Sequence, residues 1–203
     1  VAVVNGYTTA ADVQNALGLG TAILTPDTAE IEAAITAVSR VIDDYTGRFF
    51  YSTGGTVLIT AEQPLYADLP GDWSSITSIT IDDLNSGTPS VVLNPAKDYR
   101  LKSNKDFIGW PYTGIQITTF NTSYALPVGI TEGVKIIGQR GWSQVPPAVS
   151  QAAILQTVRT HARRAVPFGI AGSPDGGIVR LLSRLDPDVE LMLRPYVATP
   201  LGV

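Results

Sequence analysis

The 203-residue chain has no cysteine, one histidine and one methionine. Without thiols there is no disulfide framework, thiolate zinc site or cysteine nucleophile, and nothing marks an oxidising compartment. The lone His161 is poor material for a hydrolase triad, which needs a base within hydrogen-bond reach of its nucleophile. No stretch approaches the roughly 18 uncharged apolar residues of a membrane span. Nor does the beginning of the sequence join a basic segment to an apolar one, as a secretory leader would. The expectation is a protein made in the cytoplasm, with no membrane partner. In that setting Asn121-Thr122-Ser123 is a chance match to a glycosylation acceptor.

Catalytic signatures are missing too. Gly141-Trp142-Ser143-Gln144-Val145 lacks the final glycine of a nucleophile elbow. The glycine-rich stretch 169–177 lacks the Gly-Lys-Ser/Thr ending that cradles phosphate, and reads as a connector. Asp43-Asp44 and Asp82-Asp83 are adjacent pairs whose side chains diverge on a helix or strand, unlike a calcium loop. No catalytic residue, metal or cofactor is expected, and the chain is not read as an enzyme.

Basic charge is scarce: 14 Lys and Arg stand against 18 Asp and Glu, a formal net charge of −4. That argues against tight binding to a nucleic acid backbone, which needs a strong basic footprint. The charges are unevenly placed. Residues 1–47 hold one basic residue, Arg40, against six acids, Asp12, Asp27, Glu30, Glu32, Asp43 and Asp44, net −5. Residues 159–184 hold Arg159, Arg163, Arg164, Arg180 and Arg184 against Asp175, net +4. These are either two solvated faces that differ, or the front and back of a subunit that meets copies of itself head to tail.

What is present reads as helices at both ends and strands between. The longest helix starts at Thr25 and Pro26, with Asp27 and Glu30 in its first turn, where the dipole favours acids. Ile31, Ile35, Val38, Ile42 and Tyr45 draw one apolar stripe before Gly47 stops it. A shorter helix precedes it, opened by Thr9 and Asp12 and carrying Val13, Ala16 and Leu17 up to Gly18, so the two make a helical hairpin.

After Gly47 the period turns extended at 48–51, 57–59, 76–81, 91–93, 99–102, 115–120 and 134–137, with Gly, Pro, Asn and Asp turn signals between. Within this antiparallel region, residues 107–112 carry Phe107, Trp110 and Tyr112. They form either an aromatic loop folded onto its own sheet or a partner contact. A third helix opens at Pro146-Pro147 and runs to about residue 166, with Ile154, Leu155, Val158, Ala162 and Ala165 on its apolar face and His161 beside it. Ile178, Leu181, Leu182 and Leu185 continue at helical spacing, and Asp186-Pro187-Asp188 with Glu190 marks a capped helix start. Val189, Met192 and Leu193 extend its apolar face until Pro195, and an uncharged tail follows.

The predicted class is α+β: a helical bundle formed by the N- and C-terminal helices, with a central antiparallel β-rich insertion. The divisions are 1–48 (helical hairpin), 49–140 (β-rich), 141–194 (helices completing the core) and 195–203 (tail).

Several strings resemble the head-tail connector (adaptor) family of tailed bacteriophages, of the gp6-like kind. They are Asp44-Tyr45-Thr46-Gly47-Arg48-Phe49-Phe50, Gly141-Trp142 leading to Pro146-Pro147-Ala148-Val149, Ser183-Arg184-Leu185-Asp186-Pro187-Asp188-Val189-Glu190, and Leu193-Arg194-Pro195-Tyr196. The resemblance covers both helical ends, while the middle matches only in being β-rich. It implies a virion protein of the neck that forms a homo-oligomeric ring, usually of twelve copies. That ring sits beneath the portal protein and above stopper or tail proteins, and double-stranded DNA passes through without sequence-specific binding. The interface residues expected are Asp43, Asp44, Arg159, Arg163, Arg180, Arg184, Arg194, Pro195 and Tyr196, with Phe107, Trp110 and Tyr112 as a loop contact. Another neck component, such as a stopper or tail completion protein, or a binding module built on the aromatic loop, are the alternatives.

Overall fold

The computed structural model describes residues 3–18, 25–105, 109–118, 124–164, 170–171, 179–180 and 185–198; for 25–27, 163–164, 170–171 and 179–180 it describes the backbone alone. The fold is mixed α+β. The chain divides into two compact units, one made of Val1–Phe49 with Val145–Val203 and one of Phe50–Gln144.

The first unit holds α1 (Ala10–Ala16), α2 (Thr25–Thr46), α3 (Pro147–Arg164) and α4 (Pro187–Leu193), the last followed by a 3-10 turn, Arg194–Tyr196. Thr9 and Asp12 close a capping box at the start of α1: the Asp12 N–H donates to Thr9 Oγ1 at 3.2 Å and the Thr9 N–H to Asp12 Oδ2 at 3.3 Å. On α2, Ile31, Ile35, Val38 and Ile42 are buried, each contributing about 1.5–3 kcal/mol of apolar burial. Tyr45, assigned to the same stripe from its spacing, is instead exposed. Its place in the last turn goes to Thr46, buried with its hydroxyl donating to the Ile42 carbonyl at 2.7 Å. Gly47 ends the helix at φ +64°, a left-handed cap that glycine adopts without strain, and its N–H donates to the Asp43 carbonyl at 2.8 Å.

α3 departs further from expectation. Its most buried positions are Val149, Ala152, Ala153, Gln156 and Thr157, whereas Ile154, Leu155 and Val158 are half-buried. The reason is that α3 packs against α1, α2 and α4 at once. The buried positions still keep one face, at i, i+3, i+4, i+7 and i+8, but small and polar residues hold most of it, so the large apolar side chains that mark a face in the sequence flank it. Val158, half-buried, reaches the Val13, Ile31 and Ile35 cluster.

The helix expected to begin near 178 is not what forms at Val179–Arg180, which is a short strand (β8) paired antiparallel with Ile170–Ala171 (β7). A helical start costs three residues' freedom for one hydrogen bond, and here a local extended partner is present. Ile178, Leu181 and Leu182 lie outside the described residues.

The second unit contains β1 (Ser52–Ile59), β2 (Tyr66–Ile81), β3 (Val91–Val92), β4 (Tyr99–Ser103), β5 (Tyr112–Ile117) and β6 (Val134–Gly141). They form one antiparallel sheet in the order β1-β6-β2-β5-β4, with β3 on β2. Residues 48–51, expected to be extended, precede the first strand. Pairing instead begins in Ser52-Thr53-Gly54-Gly55, where a full partner in β6 overrides weak strand preference.

β2 runs 16 residues through Pro70-Gly71, which reads as a turn. Its first part pairs β5 and its second part β6, and the β5 register breaks between Asp68 and Trp73. Proline and a Gly71 at φ +80° belong at such an irregularity. At a second break, a Cβ on Gly138 would meet the Ser75 carbonyl oxygen at 2.3 Å, so only glycine fits there. Trp73, Ile79, Ile81, Ile115, Val134 and Ile136 build the core against the sheet.

Candidate functional site

Where the last two turns of α2 meet the N-terminal arm, polar groups converge. The Tyr7 N–H donates to Ser39 Oγ at 3.1 Å and its hydroxyl donates to Asp43 Oδ1. Arg40 pairs with Asp43 at 3.0 Å, donates to the Asn5 carbonyl at 2.9 Å and lies 5.9 Å from the Tyr7 ring centroid. Burial pushes the Asp43 carboxyl above its ordinary value, against the lowering by the Tyr7 hydroxyl and Arg40. Asp43 is thus bound within its own subunit, while Asp44, one residue on, is exposed. Adjacent helical positions diverge, and only Asp44 is presented outward.

A second cluster joins α3 to α4. Asp186 caps α4, its carboxylate accepting the Asp188 N–H at 2.9 Å, and its own N–H donates to Gln156 Oε1 at 3.3 Å. Arg159 completes the cluster by an ion pair with Asp186. Arg159 is therefore engaged inside the chain, although about half of it stays exposed. Arg163 lies in α3 and Arg180 in β8, both with side chains outside the description, and Arg184 lies outside the described residues altogether. Arg194 and Pro195 are exposed in the 3-10 turn and Tyr196 is half-buried. That turn is tied to α2 by the Ala198 N–H, which donates to the Thr46 carbonyl at 2.7 Å.

In the sheet unit Trp110 and Tyr112, two of the three aromatics singled out, contact residues of their own unit. Trp110 meets Trp142 edge-on at 4.9 Å, and Lys105 Nζ stands 4.2 Å from the Trp110 ring centroid. Tyr112 is a half-buried strand residue opposite Trp73. Phe107 lies outside the described residues. Trp142 also packs on Phe50 at 5.3 Å and donates from Nε1 to the buried Asp72 carboxylate at 2.9 Å. Sequence reasoning missed Asp72 and Trp142 as partners because 70 positions separate them.

Asp82, also buried, accepts the Ser86 N–H at 2.8 Å and the Gly87 N–H at 2.7 Å. The first of these bonds chiefly holds its carboxyl below the ordinary value. Both networks tie down backbone and side chain, with no arrangement of nucleophile and base. His161 is half-buried on α3 with Nδ1 lacking a hydrogen-bond partner.

Among the described residues no group of three His, Asp or Glu side chains is placed to hold a metal, and no helix is long and apolar enough to cross a membrane. Asp44, Arg194 and Pro195 are exposed in the helical unit, as are the apolar Val41, Tyr45 and Leu191.

No family model matches the chain, and no curated protein does. Solved structures do match. A chain in the neck of an empty GTA particle computed with C6 symmetry is 19% identical with a TM-score of 0.56, covering 100% of this chain and 95% of that one. A chain in the virion of a native gene transfer agent (GTA) particle is 18% identical at a TM-score of 0.58, with the same coverage. A third, in the neck of a native GTA particle computed with C12 symmetry, is 18% identical at 0.54, covering 100% and 94%. Over its whole length, then, this chain shares its fold with chains of gene transfer agent necks and virions.

Proposed function

We propose that this chain is a structural component of the neck of a tailed phage or related particle, and within it the head-to-tail adaptor. It forms a homo-oligomeric ring, of twelve copies in the family it resembles, between the portal and the stopper or tail proteins. Double-stranded DNA passes through it. The observation that carries this is the extent of the fold likeness: it spans nearly all of both chains, helical ends and β-rich middle together, and two of the three assemblies are necks with cyclic symmetry.

The physical features fit a building block. Helices from both chain ends lie in one compact unit with charged and apolar side chains left at its surface. A net charge of −4 suits a conduit that must let DNA slide and not hold its phosphates by counterion release. The clusters around Asp43, Asp186 and Asp72 serve packing, and the protein is no enzyme. The segment from Arg194 onward, which leaves α4 with Pro195 and Tyr196, is the portal-facing contact.

Sedimentation of the purified chain, alone and with portal, tests this. The expected species is a closed ring of about twelve subunits, each of 21.5 kDa. A monomer under both conditions would overturn it. Removing residues 196–203 should leave the fold intact and abolish portal attachment; unchanged attachment would reassign the portal contact elsewhere.

A further inference from the structure

The two ends of the sheet differ. β1 is eight residues long, Ser-Thr-Gly-Gly-Thr-Val-Leu-Ile, without a charge or a proline. It pairs with β6 from Ser52↔Gly141 to Ile59↔Val134 with no register break, and among the described residues no strand pairs with its other side. Natural sheets blunt such edges with charge, proline, a bulge or short length, because a bare edge recruits another strand. β1 has none of these, and Ser52, Thr53, Gly54, Thr56 and Leu58 are exposed. At the far end, β4 is five residues long, presents exposed Arg100 and Lys102, and has a register break against β5, so it is guarded against a second copy of itself, while its charges meet no like charge on β1.

The core cluster reaches both ends. Val57 and Ile59 on β1 and Leu101 on β4 pack against it, and all three are left half-exposed.

We propose that β1 of one copy receives β4 of a neighbouring copy as its next strand, so that the sheet continues from subunit to subunit; this rests on the ring assembly proposed above. An unpaired strand presents N–H and C=O groups at a spacing that only another strand meets in full. The other self-pairings are disfavoured. β4 against β4 sets Arg100 and Lys102 beside like charges. β1 against β1 is a two-fold contact that stops at a dimer and leaves both copies of β4 unused. β1 against β4 repeats head to tail, as closure of a ring requires. It lays the two cations beside uncharged Gly54, Thr56 and Leu58, and brings Val57 and Ile59 against Leu101 where each is still open to water.

The chain has no cysteine, so introduced thiols are the only ones. Thr56→Cys or Leu58→Cys is combined with Arg100→Cys or Lys102→Cys, four exposed positions whose spacing of about 7 Å within each strand covers neighbouring registers. The chain is then oxidised, alone and with portal, and separated without reductant. At least one pair should give a ladder extending past the dimer, while each single variant gives none past the dimer. A ring by sedimentation with no ladder from any pair, or dimers from the β1 thiol alone as abundant as the ladder, overturns the β1–β4 seam and leaves the ring standing. A monomer under both conditions overturns the ring and the seam together. As a second measurement, Thr56→Lys with Leu58→Lys should weaken self-association about tenfold or more by facing the β4 cations, with an unchanged circular dichroism spectrum. Undiminished assembly contradicts the seam.

Discussion

Replacing Asp186 separates two roles that the structure gives one carboxylate. It caps α4 through the Asp188 N–H at 2.9 Å and pairs with Arg159. Loss of an N-cap costs about 1 kcal/mol. The ion pair adds less, about 0–1 kcal/mol, because the Arg159 side chain is 49% exposed and screened by water. Asp186→Ala should therefore destabilise by about 1–2 kcal/mol, which for a chain of this length lowers the melting temperature by about 2–8 °C. Asp186→Asn keeps a capping oxygen and should cost under about 1 kcal/mol. Arg159→Gln should cost about the same, and the double variant little more than either single, since both remove one interaction. Thermal melts followed by circular dichroism at 222 nm give the four values, and sedimentation of the same samples reports assembly. If Arg159→Gln leaves the melt untouched and instead prevents ring formation, its charge belongs to a neighbouring subunit and the pairing with Asp186 is refuted.

Three further outcomes are expected. Burial raises the Asp43 carboxyl above 3.8, so the folded state holds that proton more tightly; stability contributed by this group falls as pH rises from its unfolded value through the raised one. Asp43→Asn should remove that part of the fall, and parallel slopes for variant and parent across that window would contradict it. Gly47→Ala places a Cβ at φ +64° and 3.4 Å from Ala198 Cβ, costing about 1–2 kcal/mol in a urea titration; no change would mean the left-handed cap is not held in solution. Trp142→Phe deprives the buried Asp72 of its indole donor and should cost about 1–3 kcal/mol, with loss of near-ultraviolet dichroism from the cluster; a neutral result would show that other partners of Asp72 suffice.

Local chemistry was the most legible part of the sequence. Thr9 with Asp12, Asp186 before Pro187, and Gly47 each mark a helix end through bonds to residues at most four positions away, so spacing alone exposes them. The stripe on α2 could be read as far as Ile42 because one face of that helix meets the core. α3 could not, since its buried face is held mostly by Ala152, Ala153, Gln156 and Thr157 and not by its large apolar residues. Strands were located where β-branched residues cluster and missed at Ser52-Thr53-Gly54-Gly55 and at Tyr66–Ser75, where pairing with a distant strand decides. Arg159 and Asp43, expected at a subunit or partner interface, each also have a partner inside the chain, Asp186 at a separation of 27 residues and Tyr7 at 36. Such pairs have no period or spacing that a sequence shows. The open edge at β1 was hidden for the same reason, because an edge is defined by strand order alone.

Whether this chain is part of the neck is decided by electron cryomicroscopy of particle necks, with the chain identified in the density. The expected result is a ring of identical copies with cyclic symmetry between portal and tail, each copy carrying a helical unit built from both ends of the chain. Particles whose necks are complete without this chain, or a chain found only as a free subunit outside them, would contradict it.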